Sequence, residues 1–129
     1  PMRGMAEVLD KVKSLGLEIY IVTGSGQASL LDTLNHYFPN TFCKEKMVTA
    51  YDVKKGKPDP EPYLMALEKA GLQPNNAMVV ENAPLGVRSA KGAGIFTVAV
   101  NTGILSDDDL WQAGADVVLP DMAALLEKL

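Results

Sequence analysis

The stretch Ala77-Met78-Val79-Val80-Glu81-Asn82-Ala83-Pro84-Leu85-Gly86-Val87 decides how the rest of the chain reads. Ala77 to Glu81 is a short apolar run closed by a carboxylate, the pattern of a strand buried on both faces. Pro84-Leu85 then suits the start of a helix, where a missing N–H does no harm. Val87, Ala90 and Ala93 recur at helical spacing up to Gly94, and their small size predicts close packing of that helix on a sheet. Thr97 to Val100 is the next strand. A strand, a helix and a strand of this kind make a parallel crossover unit.

The same alternation extends in both directions. Met5, Val8, Leu9, Val12 and Leu15 line one helix, which stops at Gly16, and Leu17 to Thr23 follows as an apolar strand. Leu30, Leu31, Leu34 and Phe38 mark a second helix before Pro39, and Met47 to Ala50 is a short strand leading into a polar loop. Asp59 followed by Pro60 reads as an N-cap with proline at the first helical position, and Tyr63, Leu64 and Leu67 form that helix's apolar face up to Gly71. Beyond Val100, Ser106 and Asp109 form a capping box, Ala115 to Leu119 is a last strand, and Asp121 caps a final helix with Leu125 and Leu126 facing inward. The fold class is therefore α/β: a mainly parallel, Rossmann-like sheet in three layers, with helices on both faces.

The 129 residues suffice for one domain, and a 47% hydrophobic content is ample for one core. Twelve Lys and Arg against sixteen Asp and Glu give a net charge of −4, which argues against a general nucleic-acid or membrane surface. Any phosphate site must then be locally basic. No apolar run approaches the roughly 18 residues of a spanning helix. The lone Cys43 cannot form an internal disulfide, and the chain reads as cytoplasmic. It opens at Pro1 with a periodic segment directly after, which reads as a fragment of a longer protein.

In open parallel sheets ligands sit beyond the carboxyl ends of the strands. One such place is Thr23-Gly24-Ser25-Gly26, a hydroxyl and glycine turn between strand and helix. Its N–H groups and the helix dipole favour an anion, although glycine turns also join strands to helices for purely structural reasons. A dinucleotide fingerprint fits less well, because Ser29 stands where the third glycine belongs and Met47 to Ala50 runs into Tyr51-Asp52 rather than a clear acidic tip. A second place is Gly56-Lys57-Pro58, whose lysine either neutralises a phosphoryl group or is one more solvated cation beside Lys54 and Lys55. The third is Glu81-Asn82, where a carboxylate and an amide oxygen suit a hard cation such as Mg2+. Alternatively, Glu81 pairs with Lys57 or caps the helix at Pro84-Leu85, and pairing is compatible with metal binding. Asp107, Asp108 and Asp109 are explained by the first-turn helix dipole, and His36 has no ligand partner at metal spacing.

Taken in order, Thr23 after an apolar strand, Lys57 in Gly-Lys-Pro-Asp-Pro, and Glu81-Asn82-Ala-Pro-Leu-Gly86 resemble the second, third and fourth motifs of the haloacid dehalogenase-like family. The likeness is to its β-phosphoglucomutase-like and phosphatase branch, and it extends through Ala93-Gly94-Ile95 and Asn101-Thr102-Gly103. It implies Mg2+-dependent phosphoryl transfer through an aspartyl-phosphate, on a small phosphorylated metabolite or pyrophosphate. Thr23 and Lys57 would be catalytic, and Thr23, Gly24, Ser25, Gln27 and Lys57 would bind phosphate or substrate. Glu81 and Asn82 would hold the metal, with Asn82 replacing the aspartate of many members and so removing a negative charge.

The resemblance also implies that residues 1–129 are the carboxy-terminal portion of the core domain, without a cap and without the Asp-x-Asp nucleophile and general acid of the first motif. In the family the strand bearing that motif lies between those matching Leu17 to Thr23 and Ala77 to Glu81. A gap in the sheet is expected there, to be completed by an amino-terminal segment or a second chain, and the 129 residues alone should be inactive. A non-catalytic phosphate- or nucleotide-binding module is the alternative.

Overall fold

The computed structural model describes residues 4–24, 30–39, 41–102 and 105–129. Helix α1 (Met5–Ser14) ends where Gly16 takes φ +76°, the left-handed region open to glycine. Strand β1 (Ile21–Val22), helix α2 (Leu30–Tyr37) and strand β2 (Met47–Val48) follow. The second half runs α3 (Glu61–Ala70), β3 (Met78–Glu81), α4 (Pro84–Gly92), β4 (Phe96–Val100), α5 (Asp107–Gln112), β5 (Val117–Leu119) and α6 (Met122–Lys128).

All described strand pairs are parallel, as the crossover helices require. β3, β4 and β5 form one sheet in that order, with Val80 opposite Val98 and Val98 opposite Val117. Side chains alternate across β4. Val98 and Val100 join Val8, Leu119, Met122 and Leu125 under α1 and α6, whereas Ala99 joins Val87, Leu110, Ala113 and Ala115 under α4 and α5. A further cluster, Tyr63, Leu67, Val79, Ala90, Ala93 and Ile95, packs α3 and α4 against β3. Helices thus cover both faces, and Ala90, with no exposed surface, lets α4 lie close to the strands.

β1 and β2 form a separate pair, Ile21 opposite Met47 and Val22 opposite Val48. The described strands therefore form two sheets, and Lys57, bonded to both the Val22 carbonyl of β1 and Glu81 of β3, puts the division between β1 and β3, where the family resemblance implies a break. Two consequences are visible. Leu17 to Thr23 yields paired strand only at Ile21–Val22, with Thr23 N–H extending the ladder to the Val48 carbonyl at 2.9 Å. A strand with a neighbour on one side only has fewer bonds to define it. In β3, Met78 is 46% and Val80 39% exposed, because α1 and α6 cover β4 and β5 and stop short of β3.

The caps at the carboxy-terminal helices form as expected: Ser106 Oγ accepts from the Asp109 N–H, and Asp121 Oδ1 from the Ala124 N–H. Asp59 differs. Pro60, already helical at φ −71° and ψ −9°, is the N-cap of α3, and its carbonyl accepts from Tyr63 and Leu64. Asp59 instead accepts from the Glu61 N–H at 2.9 Å, an Asx-type turn that leads into the helix. No helix among the described residues is long and apolar enough to cross a membrane.

Candidate active site

The carboxyl ends of β1 and β3 face the division in the sheet, and the loop carrying Lys57 reaches across it. That loop is fixed from several sides. The Asp59 N–H donates to the Gly56 carbonyl at 3.0 Å, and Ser89 Oγ on α4 donates to the Asp59 carbonyl at 2.6 Å. Lys57 Nζ then donates to the Val22 carbonyl of β1 at 3.2 Å and to Glu81 Oε1 at the end of β3. The lysine is 19% and the glutamate 8% exposed, so this is a largely buried ion pair rather than a solvated contact. The solvated-lysine reading of Lys57 is excluded by this geometry.

Glu81 has a second donor, the hydroxyl of Tyr63. Burial first, and then the charge on Glu81, hold that hydroxyl well above its ordinary tyrosine value, so it stays protonated and donates. The Lys57 ammonium also lies 5.3 Å from the Tyr63 ring centroid, within cation–π range. Gly86 closes the floor of the cluster. A Cβ placed there would stand 2.1 Å from Glu81 Cδ and Oε2 and 2.3 Å from Oε1, so only glycine lets α4 start this close to the carboxylate. Glu81 does not cap α4, whose N-cap Ala83 carries no side-chain cap bond.

The sequence-derived candidates are only partly assembled among the described residues. Thr23 follows β1 half-buried and Gly24 is exposed, both at the same end of the sheet as Lys57 and Glu81. Asn82 is exposed beside Glu81. Ser25 and Gln27 lie outside the described residues. Among the described residues no three His, Cys, Asp or Glu side chains converge to hold a metal ion. The donors here are one carboxylate and one amide oxygen, hard ligands of the type Mg2+ takes together with water, phosphate or further carboxylates. They fit part of a magnesium site.

Sequence reading misses two members of the cluster. Tyr63 occupies an apolar helical position, which places it in the core, where its ring indeed lies; only the fold brings its hydroxyl to Glu81. Gly86 falls within a motif, but its contact depends on how closely α4 approaches β3. At the next strand end, Asn101 Nδ2 donates to the Leu105 carbonyl at 2.9 Å and to Asp107 Oδ1 at 2.7 Å, which ties the loop after β4 to the start of α5.

A buried lysine–carboxylate pair thus stands at the strand ends of a parallel α/β sheet, the place where such sheets bind their ligands. The sequence profile of haloacid dehalogenase-like hydrolases matches residues 1–100, and the chain belongs to that family. It is 34% identical over 119 residues to validoxylamine A 7'-phosphate phosphatase of Streptomyces hygroscopicus subsp. limoneus, covering 92% of this chain and 54% of that protein. It is 35% identical over 113 residues to a phosphorylated carbohydrates phosphatase of Thermotoga maritima, covering 87% and 52%. A solved structure from Bacteroides vulgatus, provisionally named a β-phosphoglucomutase, superposes with a TM-score of 0.93 at 56% identity, over 98% of this chain and 51% of that one. The chain thus spans about half the length of the relatives it matches.

Proposed function

We propose that this chain supplies the phosphate and metal ligands of a Mg2+-dependent phosphotransferase acting on a small phosphorylated metabolite, as a phosphatase or a β-phosphoglucomutase-like enzyme. The observation that carries this reading is Lys57, a nearly buried ammonium held between the Val22 carbonyl and Glu81 at the open ends of two strands. An ammonium in this position can turn toward a phosphoryl group without entering water, and a low-dielectric surrounding strengthens its attraction for the incoming charge. The relatives that are named for phosphorylated carbohydrates and for a phosphate ester support the substrate class.

In this reading the Thr23 hydroxyl and the Gly24 N–H donate to phosphoryl oxygens, with Ser25 and Gln27 toward the substrate. Lys57 neutralises the transferring group. Glu81 and Asn82 hold Mg2+, which when bound polarises the phosphoryl group and offsets its charge. The nucleophilic carboxylate comes from a strand laid between β1 and β3, either a segment outside residues 1–129 or a second chain. Exposed Cys43, the only cysteine, is compatible with a reducing, cytoplasmic setting.

The test is hydrolysis of a panel of sugar phosphates and pyrophosphate, with and without Mg2+, by three proteins: the full reading frame containing these residues, its Lys57→Ala variant, and the isolated 129-residue chain. Turnover is expected only in the first. Activity of the isolated chain above a matching Lys57→Ala control would refute the missing-nucleophile reading, and a fully active Lys57→Ala variant would refute the role of Lys57.

A further inference from the structure

Two features of Tyr63 set it apart from the rest of its helix face. Its ring is 6% exposed and packed among Leu67, Val79, Ala90, Ala93 and Ile95, so its position is fixed by the core rather than by the site. Its hydroxyl nevertheless leaves that core and donates to Glu81 Oε1. A phenylalanine would fill the same apolar space, so packing accounts for the ring but not for the oxygen.

The second donor matters because of what Lys57 is asked to do. Lys57 serves Glu81, the Val22 carbonyl and, in the reading above, an incoming phosphoryl group. When its ammonium turns to the phosphoryl group, a carboxylate that is 8% exposed loses its charged partner. An unpaired buried carboxylate would swing toward solvent or follow the lysine. Tyr63 stays, because its ring cannot move without opening the core. Both donors act on the same oxygen, Oε1.

We propose that Tyr63 is a positioning residue: its hydroxyl anchors Glu81 from the core side, so that the carboxylate keeps its orientation toward a divalent cation while Lys57 is engaged elsewhere. The proposal rests on the reading of Glu81 as a metal ligand. Hydrogen-bond partners behind metal ligands commonly hold about 10- to 100-fold in metal affinity.

The experiment measures Mn2+ affinity by electron paramagnetic resonance of the free ion, in the full protein containing these residues, with circular dichroism confirming that each variant is folded. Tyr63→Phe is expected to weaken Mn2+ binding about tenfold. Replacing Tyr63 by 4-aminophenylalanine, which keeps a donor at the ring tip, should restore it to within about threefold of the parent. Leu125→Ala, which loosens the separate cluster under α1 and α6 and leaves the packing around Tyr63 intact, should leave Mn2+ affinity near that of the parent. Glu81→Gln separates the two levels of the argument. If Glu81→Gln weakens binding while Tyr63→Phe does not, Tyr63 has no positioning role and Glu81 keeps its role as ligand. If Glu81→Gln binds as the parent does, the ligand reading fails and takes the proposal with it. Equal losses in Leu125→Ala and Tyr63→Phe, or no recovery with the amino analogue, would also overturn it.

Discussion

Substituting Gly86 by alanine sets two effects against each other, and the structure says which wins. Within α4 an alanine is favoured over glycine by about 1 kcal/mol through helix propensity. Against this, the new Cβ would lie 2.1 Å from Glu81 Oε2, well inside contact distance. The atoms in the way belong to the tip of a flexible side chain, so the overlap is relieved by rotating Glu81 rather than by moving backbone. Rotation breaks its bonds to Lys57 and Tyr63. Breaking a buried ion pair costs about 3–5 kcal/mol, and because Lys57 is 19% exposed the lower end applies here. Gly86→Ala is therefore expected to destabilise by about 2 kcal/mol net, which is about thirtyfold in the folding equilibrium. Urea unfolding measures it, and a double-mutant cycle assigns the cause. In a Glu81→Ala background no carboxylate stands in the way, so adding the Gly86→Ala substitution there should be neutral or stabilising by up to about 1 kcal/mol. An equal penalty in both backgrounds would refute the argument and place the cost in the α4 backbone.

Three further outcomes are expected. Asp121→Ala removes the acceptor for the Ala124 N–H at 2.8 Å and should cost about 1 kcal/mol in urea unfolding, whereas Ser106→Ala, whose Oγ lies 3.4 Å from the Asp109 nitrogen, should cost less. Asp116 is held below its ordinary value of 3.8, first by the hydrogen bond from Lys91 and then by that from the Thr97 N–H. A depressed carboxylate stabilises the fold fully above its unfolded value, and that contribution fades as pH falls through the folded one. Below about pH 4, Asp116→Asn should therefore flatten the loss of stability with acid, as read by urea midpoints between about pH 2.5 and 5. Finally, hydrogen exchange of the isolated chain should be slowest in β4, which has strand neighbours on both sides, and faster in β1, which has one.

The fold is legible because its signals are local. Gly16 ends α1 with the backbone that glycine permits, and Ser106 and Asp121 bond the N–H groups their spacing addresses. Strand length is less legible. Leu17 to Thr23 is mostly apolar, yet only two residues pair, because pairing depends on neighbours that hydrophobicity does not encode. Of the site, Lys57 and Glu81 can be proposed from their places after strands, and their mutual pairing is among the readings that the residues leave open. Tyr63 and Gly86 cannot, since each acts through an approach of α3 or α4 to β3 that no sequence spacing specifies. Asp59 suits one hydrogen-bond role by its position and takes a neighbouring one, because Pro60 already has helical dihedrals.

The division between β1 and β3 couples assembly to chemistry. A parallel strand laid into it would satisfy the facing edges, cover Met78 and Val80 from one side, and end between Val22 and Glu81, beside the ammonium of Lys57. Whatever group it carried at that end would arrive beside Lys57 and Glu81 in the same event that closes the sheet. Incomplete copies would then be both the least stable and the least complete at the strand ends, so the molecule would proofread its own assembly before its site was whole.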